Sequence, residues 1–262
     1  MLFRSAPPRL MAAMGHAVFP GGARIRPQLC VAVARACGQD APELTDAAAV
    51  ALEFMHCASL VHDDMPCMDN DVLRRGKPTV HVKYGEAGAL LAGDALQTLA
   101  FELLTPEHSD IPAQVQARLC SLLARGAGHA GMAGGQAIDL ASVGEQLSLQ
   151  QLRLMHRCKT GALLETSVQM GAVAAQADAT AMQALLSYGQ ALGVAFQVVD
   201  DILDVTADTA VLGKTAGKDA DNNKPTYVSL LGLDGAKKEA ADLAQQAQQA
   251  LADSGLVQTQ AL

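Results

Sequence analysis

Apolar residues recur at helical spacing along most of this chain, and short stretches rich in glycine and proline interrupt the pattern. A period of about 3.6 residues, broken by such residues, predicts α-helices joined by turns. No segment shows the alternation of apolar and polar residues that predicts a β-strand. The predicted helices are 26–38, 43–64, 86–104, 111–141 (kinked at its glycines), 147–176, 180–206 and 235–255, with a short helix before the last. The sequence therefore predicts an all-α fold, as a single domain over residues 1–262.

Two of these helices, 43–64 and 180–206, are apolar on nearly all sides, so we expect both to be buried in the middle of the protein. Both end in clusters of aspartates. If the two ends face each other, they enclose a deep cavity with apolar walls and an acidic mouth. The predicted architecture is a helical bundle around this cavity, with Thr45 and Ser148 as N-caps of helices 43–64 and 147–176.

The composition supports helices and narrows the class of partner. Half of the residues are hydrophobic, only 3% are aromatic and none is Trp, so Ala, Leu, Val and Met must fill the core. Ala and Leu are strong helix formers. The formal net charge is −8 and the sequence has no long basic run, so nucleic acid is not an expected partner.

The cysteines and apolar stretches predict a cytoplasmic location. The six cysteines show no C-x-x-C spacing and lie mostly in apolar helical segments, as is typical of buried thiols in a reducing compartment. The N-terminal stretch lacks the apolar core and cleavage site of a secretory signal. The apolar stretches meet Glu, His or Gly before they reach membrane-spanning length, so no transmembrane helix is expected.

The first aspartate cluster lies in the segment "HDDMPCMD". Asp63 and Asp64 end helix 43–64, and Pro66 disfavours helical geometry at Met65, so Asp69 should come from the following turn. In the second cluster, "VVDDILD", the carboxylates are Asp200, Asp201 and Asp204, with Gln197 one turn earlier.

Carboxylates this close together need cations. Oxygen ligands without His or thiolate in motif spacing point to Mg²⁺, which takes one or two carboxylates together with substrate phosphate. Solvated helix ends are the plainer interpretation of one such cluster. Two clusters on the two most apolar helices argue against it.

Cationic residues near the two clusters suit phosphate groups. Arg and Lys form charge-assisted hydrogen bonds to phosphate, and the set suits two polyanionic groups, one gripped through Mg²⁺ and one gripped directly. The "GKT" segment is not a nucleotide P-loop, because Asp208 stands where that motif needs a glycine. The cationic residues are Arg24, Arg26, Arg74, Arg75, Lys159, Lys214 and Lys224.

The ordered set of motifs resembles the trans-prenyl diphosphate synthases, the family of farnesyl and geranylgeranyl diphosphate synthases. The matching segments are "GGARIRP", "HDDMPCMD", "LRRGKPTVH", "GDAL", "GGQ", "KTGALLE", "FQVVDDILD", "GKTAGKD" and "NNKPTY", in family order between residues 21 and 227. The resemblance implies head-to-tail condensation of an allylic diphosphate with isopentenyl diphosphate, three Mg²⁺ ions in each active site, and a homodimer.

The resemblance also implies a role for each matching residue. Direct Mg²⁺ ligands are expected to be Asp63, Asp69 and Asp200, with Asp64, Asp201 and Asp204 orienting them. Contacts with the allylic diphosphate are expected from Arg74, Lys159 and Lys214, with Lys224 near the mouth. Isopentenyl diphosphate should be held by Arg26, His56 and Arg75. Thr160 and Gln197 should lie near the developing allylic cation. The departing diphosphate is near enough to take the final proton, so no catalytic His is expected.

The chain departs from the family in two respects. Ala23 stands where the family has Lys, so one expected contact to isopentenyl diphosphate is missing. Either Arg24 compensates or the enzyme tolerates the loss. The chain is also shorter than is usual for the family, so reduced first and last helices are expected.

Product length should depend on the residues that floor the cavity, and Met55, Ala58 and Ser59 precede Asp63 on the predicted helix. Farnesyl-forming relatives tend to have an aromatic residue at the position of Ala58. The small side chain here favours a twenty-carbon product, geranylgeranyl diphosphate. The second half of the chain looks more like bacterial farnesyl synthases, which keeps the fifteen-carbon product as the alternative. Ala58 could instead be core packing, with Met132 or Leu164 as the stop.

Three other functions fit the sequence less well. A terpene cyclase would not need the "GGARIRP" segment and paired arginines for a second diphosphate, nor usually both aspartate clusters. A non-catalytic partner subunit of a synthase should have lost one cluster, and this chain has both. An inactive helical scaffold would not carry the ordered motifs.

Overall fold

Helices form nearly all the regular structure in the described part of the computed structural model, which comprises residues 6–38, 41–106, 111–145, 147–206 and 225–262. The helices are α1 (Pro8–Val18), α2 (Ile25–Ala36), α3 (Pro42–Asp63), α4 (Val80–Tyr84), α5 (Glu86–Leu104), α6 (Ala113–Ala127), α7 (Met132–Ala141), α8 (Leu149–His156), α9 (Ala162–Ala174), α10 (Ala179–Thr206) and α11 (Tyr227–Asp253). The predicted all-α fold is confirmed.

The helix α3 lies at the centre of the bundle, as its apolar sequence predicts. It packs against α1, α2, α5, α6 and α9, and its buried residues point to several sides. The helix begins at Pro42, where proline is favoured because the first backbone N–H groups of a helix need no intrahelical acceptor. Thr45 is therefore not the N-cap; it is fully buried, and its hydroxyl donates to the Ala41 carbonyl oxygen at 3.3 Å.

The predicted helix 147–176 is one run interrupted by a change of winding. Ser148 caps it in a reciprocal capping box with Gln151, as predicted. Between α8 and α9, residues Arg157–Gly161 form a π-helical turn, which we call the π turn. A π turn holds one residue more than an α-helical turn, and such turns are frequent at functional sites.

Two other predicted elements differ in detail. The predicted helix 111–141 is two helices, α6 and α7, separated at the glycine-rich segment 128–131. The predicted helix 235–255 is the main part of α11, which has a kink at Gly232, where φ is 71°. Helix α11 packs along α10.

The structure contains one small hairpin that the sequence pattern did not predict. Strands β1 (Leu73–Arg74) and β2 (Lys77–Pro78) pair antiparallel. Arg75 and Gly76 form the turn with φ of 52° and 73°, the double positive φ of a tight two-residue hairpin. Strands of two residues are too short for any period to appear in the sequence.

Two helices are long and apolar enough to cross a membrane by length and composition, where the sequence pattern led us to expect none. They are Pro42–Asp63 and Glu86–Leu104, which correspond to α3 and α5. The apolar window of α3 is 67% buried inside the protein, as in a core helix, and that of α5 is 33% buried.

Candidate active site

The first aspartate cluster closes the C-terminal end of α3. The helix ends at Asp63, and the turn after it brings Asp69 back, so that the Asp69 amide donates to the Asp63 carbonyl oxygen at 2.9 Å. Gln136 of α7 donates from Nε2 to Asp63 Oδ1 at 2.5 Å. Burial raises the pKa of the Asp63 carboxyl, and the neighbouring Asp69 and Asp64 raise it further, although Lys159 and Arg74 oppose them. An additional cation beside this carboxylate would therefore stabilise its charged form.

Asp64 forms an ion pair with Arg74. The Asp64 side chain is 4% exposed and receives hydrogen bonds from Arg74 Nε at 2.8 and 2.9 Å and from the Arg74 terminal nitrogen at 2.6 Å. Arg74 is delivered by strand β1. Asp64 therefore orients this guanidinium.

The hairpin turn separates the two adjacent arginines. Arg75 is exposed at the turn and its guanidinium lies against Gly22, where an added Cβ would stand only 2.7 Å from it. Arg75 thus approaches the "GGARIRP" segment while Arg74 stays at the first aspartate cluster.

Arg24 does not take the place of the missing family Lys. Its φ is 55°, and its guanidinium pairs with the buried Glu53 and donates to the Val18 carbonyl oxygen. A further bond reaches the Pro20 carbonyl oxygen at 3.3 Å. These contacts fasten the loop before α2 to α3.

A strongly cationic position surrounds His56. Burial lowers the pKa of His56 well below its ordinary value, and the charges of Arg26, Arg75, Arg74 and Arg24 lower it further. Burial also lowers the pKa of Arg26 to about 10, and its Nε atom is buried with no hydrogen-bond partner in the described part of the chain. An unpaired buried guanidinium nitrogen in a group of four arginines is suited to an anion.

A cavity of about 430 Å³ begins beside these groups and runs between α3 and α7. Arg26, His56, Asp63, Lys159 and Thr160 line its polar part. Its other lining residues are Met55, Ser59, Leu60, His62, Met68, Gln97, Ala127, Met132, Ala133, Gln136, Ala137 and Leu140.

Of the three residues expected to floor the cavity, two line it and one does not. Met55 and Ser59 line it, whereas Ala58 has no exposed surface and packs in the core cluster around α3. The reason is helical geometry, because Ala58 is turned about 100° from Ser59 around the helix axis. Of the alternative stops, Met132 lines the cavity and Leu164 is buried elsewhere.

The π turn presents Lys159 and Thr160 to the cavity. Lys159 Nζ donates to Asp139 Oδ2 of α7 at 2.5 Å. Burial would lower the pKa of Lys159, but Asp63 and Asp139 raise it by more, so the pKa lies above its ordinary value. Asp139 and Asp200 also act on His156, at the start of the same turn. The π turn therefore stands between the two aspartate clusters.

Helix α10 packs against the π turn. We expected this helix to form a wall of the cavity, but none of its described residues lines it. Helix α9 packs against both α3 and α10, and the π turn packs against α7 and α10. Thr160 donates from its hydroxyl to Gln197 Oε1 at 3.1 Å, and Gln197 Nε2 donates to Asp201 Oδ1 at 2.9 Å. Asp201 Oδ2 accepts from the Tyr227 backbone amide at 2.8 Å.

The remaining predicted residues have different placements. Asp200 is partly exposed on α10, and Asp204 is buried one turn later. Lys214 and Lys224 lie outside the described residues.

The carboxylates fit Mg²⁺ only together with other ligands. Among the residues that the structure describes, no three Asp, Glu, His or Cys side chains converge closely enough to hold a metal ion alone. Separate carboxylates around a cationic pocket match Mg²⁺ bound through one or two carboxylates and phosphate oxygens.

Sequence analysis missed two polar residues of the site, Gln136 and Asp139. They lie three positions apart on α7 and contact Asp63 and Lys159, respectively. Two signals were available: the matching segment "GGQ" contains Gln136, and residues at this spacing share one face of an otherwise apolar helix.

Known proteins resemble this chain in sequence and in fold. The family model described as Polyprenyl synthetase matches residues 7–260. A probable farnesyl diphosphate synthase of Sinorhizobium fredii is 51% identical over 250 residues, covering 94% of this chain and 74% of the relative. A geranylgeranyl diphosphate synthase of Cereibacter sphaeroides is 46% identical over 238 residues, covering 91% of this chain and 80% of the relative.

A solved structure is also similar over most of the chain. It is the geranyltransferase of Helicobacter pylori complexed with magnesium and isoprenyl diphosphate, with a TM-score of 0.85 and 38% identity over 95% of this chain and 82% of that one. The chain therefore belongs to the polyprenyl synthetase family of trans-prenyltransferases.

Proposed function

We propose that this protein joins isopentenyl diphosphate head to tail to an allylic diphosphate and releases geranylgeranyl diphosphate. The observation that carries the proposal is the polarity of the cavity. Asp63, Lys159, Arg26 and His56 line its polar part, and most of its other lining is apolar. Two anionic head groups and one hydrocarbon tail fit this division.

Mg²⁺ is the cofactor of the proposed reaction, with three ions in each active site. Asp63, Asp69 and Asp200 are the proposed ligands, and Asp64 and Asp204 orient them. Bound Mg²⁺ would neutralise the charge that develops on the leaving diphosphate. The relative from H. pylori is named as a complex with magnesium and isoprenyl diphosphate, which supports this assignment.

The reaction begins with cleavage of the C1–O bond of the allylic substrate. The electron pair of this bond leaves with the diphosphate. Lys159 and Arg74 hold that diphosphate, with Lys214 and Lys224 as further proposed contacts. Arg26, His56 and Arg75 hold isopentenyl diphosphate, whose double bond attacks C1. The proton at C2 of the isopentenyl unit then leaves to the departed diphosphate. The apolar walls keep water from the cation.

Geranylgeranyl diphosphate is the proposed product because no Phe, Tyr or Trp side chain lines the cavity within the described residues. Met55, Gln97, Ala127 and Met132 are among its other lining residues. Farnesyl diphosphate is the second candidate, and the name farnesyl diphosphate synthase among the most similar relatives favours it.

The protein acts as a homodimer in this proposal. Helix α5 is apolar, yet only 33% of its apolar window is buried within one chain. Leu90 and Leu91 are 48% and 56% exposed. A second copy of the chain would cover this surface, whose burial stabilises association.

The decisive experiment supplies isopentenyl diphosphate and Mg²⁺ with dimethylallyl, geranyl or farnesyl diphosphate and measures the products by mass spectrometry. We expect all three to be extended and geranylgeranyl diphosphate to accumulate. Accumulation of farnesyl diphosphate without further extension would establish the second candidate. Failure to condense any of the three would overturn the enzymatic function.

A further inference from the structure

We propose that Asp201 is a positioning residue for the allylic cation, acting through a hydrogen-bond relay that fixes the polarity of Thr160, and that it is not a metal ligand. This inference rests on the proposed function. The relay runs from the Tyr227 amide through Asp201 and Gln197 to Thr160, which lines the cavity.

The direction of the relay is set at its buried end. Asp201 is 2% exposed, and its oxygens accept from Gln197 Nε2 at 2.9 Å and from the Tyr227 amide at 2.8 Å. An ionised carboxylate only accepts hydrogen bonds. Gln197 must therefore turn its amide nitrogen towards Asp201, because its carbonyl oxygen would face another acceptor.

The orientation of Gln197 determines that of Thr160. With its nitrogen bound to Asp201, Gln197 presents Oε1 to Thr160, and the Thr160 hydroxyl donates its proton to that oxygen at 3.1 Å. The hydroxyl proton is thereby turned away from any other partner, and the oxygen lone pairs remain for the cavity. A hydroxyl in this orientation presents the negative end of its dipole to a cation.

Replacing Asp201 by Asn allows the relay to reverse. Asn carries a donor as well as an acceptor, so it can donate to Gln197 Oε1. Gln197 would then offer its nitrogen to Thr160, and the Thr160 proton would be free to point into the cavity. A positive charge there would be stabilised less, with little change in the shape of the site.

The test separates cation stabilisation from metal binding by measuring affinity for a ligand pair. One ligand is a trialkylammonium analogue of the allylic cation, bound with inorganic pyrophosphate and Mg²⁺. The other is its neutral hydrocarbon isostere under the same conditions. We expect Asp201→Asn to lower the affinity for the ammonium analogue about tenfold. The affinity for the neutral isostere and the Mg²⁺ concentration for half-saturation should change less than about twofold. Asp200→Asn is the comparison for loss of a metal ligand. It should lower the affinity for both ligands and raise the Mg²⁺ concentration needed for half-saturation.

A double-mutant cycle tests whether Asp201 acts through Thr160. The Thr160→Val substitution removes the hydroxyl at similar volume. In that background, Asp201→Asn should no longer change the affinity for the ammonium analogue. If Asp201→Asn does not fold, Gln197→Met interrupts the same relay at its middle and enters the same cycle. Additive effects, or equal weakening of both ligands, would overturn the relay. A wild-type protein that condenses no allylic diphosphate and does not bind the analogue would instead overturn the proposed function.

Discussion

The Arg24 side chain lies near the site but has a structural role. Its guanidinium is engaged by Glu53 and by the Val18 and Pro20 carbonyl oxygens, so it holds the loop that carries Ala23 and Arg26. Of the two outcomes open for the missing Lys, compensation by Arg24 conflicts with these contacts. The contacts of Arg24 favour the other outcome, that the enzyme tolerates the loss.

Restoring that contact should strengthen binding of isopentenyl diphosphate. Ala23 is exposed, so a longer side chain has room there. We expect Ala23→Lys to lower KM for isopentenyl diphosphate roughly tenfold, about 1.4 kcal/mol, with kcat nearly unchanged. Ala23→Met, of similar length without charge, is the control and should leave KM unchanged. Steady-state kinetics at saturating allylic substrate measure both, and an unchanged KM in the Lys variant would show that this position does not reach the diphosphate.

His156 should make stability dependent on pH. Burial and Lys159 lower its pKa to about 4 against the raising effects of Asp139 and Asp200. As the pH falls below about 6.5, the unfolded chain binds a proton that the folded chain refuses, so stability falls towards pH 4. From pH 7 to pH 5 this amounts to about 2 kcal/mol.

Urea unfolding of wild type and His156→Gln at these two pH values isolates that effect, because other titrating groups are shared. The variant should lose about 2 kcal/mol less than wild type between pH 7 and pH 5. Equal losses in the two proteins would contradict the assignment of a neutral, buried His156.

Product length should respond to Ser59. Its side chain lines the cavity, and its hydroxyl donates to the His56 carbonyl oxygen of the same helix at 2.8 Å. Ser59→Phe should fill part of the cavity and shift products from twenty to fifteen carbons or fewer. Ser59→Ala should leave the distribution unchanged.

Ala58→Phe provides the contrasting substitution. Since Ala58 is fully buried in packed core, a ring there should destabilise the fold by about 1–3 kcal/mol. Thermal unfolding and product analysis distinguish the two positions. A stable Ala58→Phe variant with shortened product would return Ala58 to the role that its sequence position indicated.

At the scale of elements, the contact between α10 and the π turn depends on two glycines. A Cβ on Gly193 would stand 2.8 Å from Gly161 Cα, closer than real Cβ atoms approach. This close approach lets Gln197, one turn later on α10, reach Thr160.

We therefore expect Gly193→Ala to separate α10 from the π turn, lowering stability by about 1–3 kcal/mol and kcat by more than tenfold. Gly15→Ala is the control, because nothing lies within 4 Å of its added Cβ and alanine favours the helix by about 0.5–1 kcal/mol. Thermal unfolding and kcat measured on both variants check the expectation. Normal turnover in Gly193→Ala would show that the contact is dispensable.

The pattern of the sequence predicted most helices because their apolar faces repeat over several turns. Helix α5 has the predicted bounds, and α2, α3 and α10 differ by a residue or two. The π turn and the hairpin were missed because each is a local change in backbone hydrogen bonding, with no period of its own. Pro42 overrode Thr45 as the start of α3 because proline favours the first helical position.

At the scale of the whole molecule, the aspartates, arginines and Lys159 were placed near one another by the family resemblance, since their order along the chain is distinctive. The partners that orient them depend on tertiary contacts between distant segments. Gln136 reaches Asp63 across 73 positions and Tyr227 reaches Asp201 across 26. No local pattern carries such information.

The exposed apolar surface of α5 should determine the assembly. We expect wild type to sediment as a dimer at micromolar concentration, and Leu91→Glu to sediment as a monomer, because a charge in an apolar interface costs several kcal/mol without a partner. Gln245→Glu adds the same charge to an exposed position of α11 and should remain dimeric. Sedimentation velocity measures all three, and a monomeric wild type would refute the proposed homodimer.

The π turn has a consequence for how this enzyme could be improved. Removing one residue from Arg157–Gly161 would give an uninterrupted α-helix with regular hydrogen bonds. The same deletion would rotate all preceding side chains by about 100° relative to those that follow, so Lys159 and Thr160 could no longer share the cavity in register with α7 and α10. Greater helical regularity and catalytic competence are therefore opposed at this turn, and engineering for heat resistance should leave its length alone.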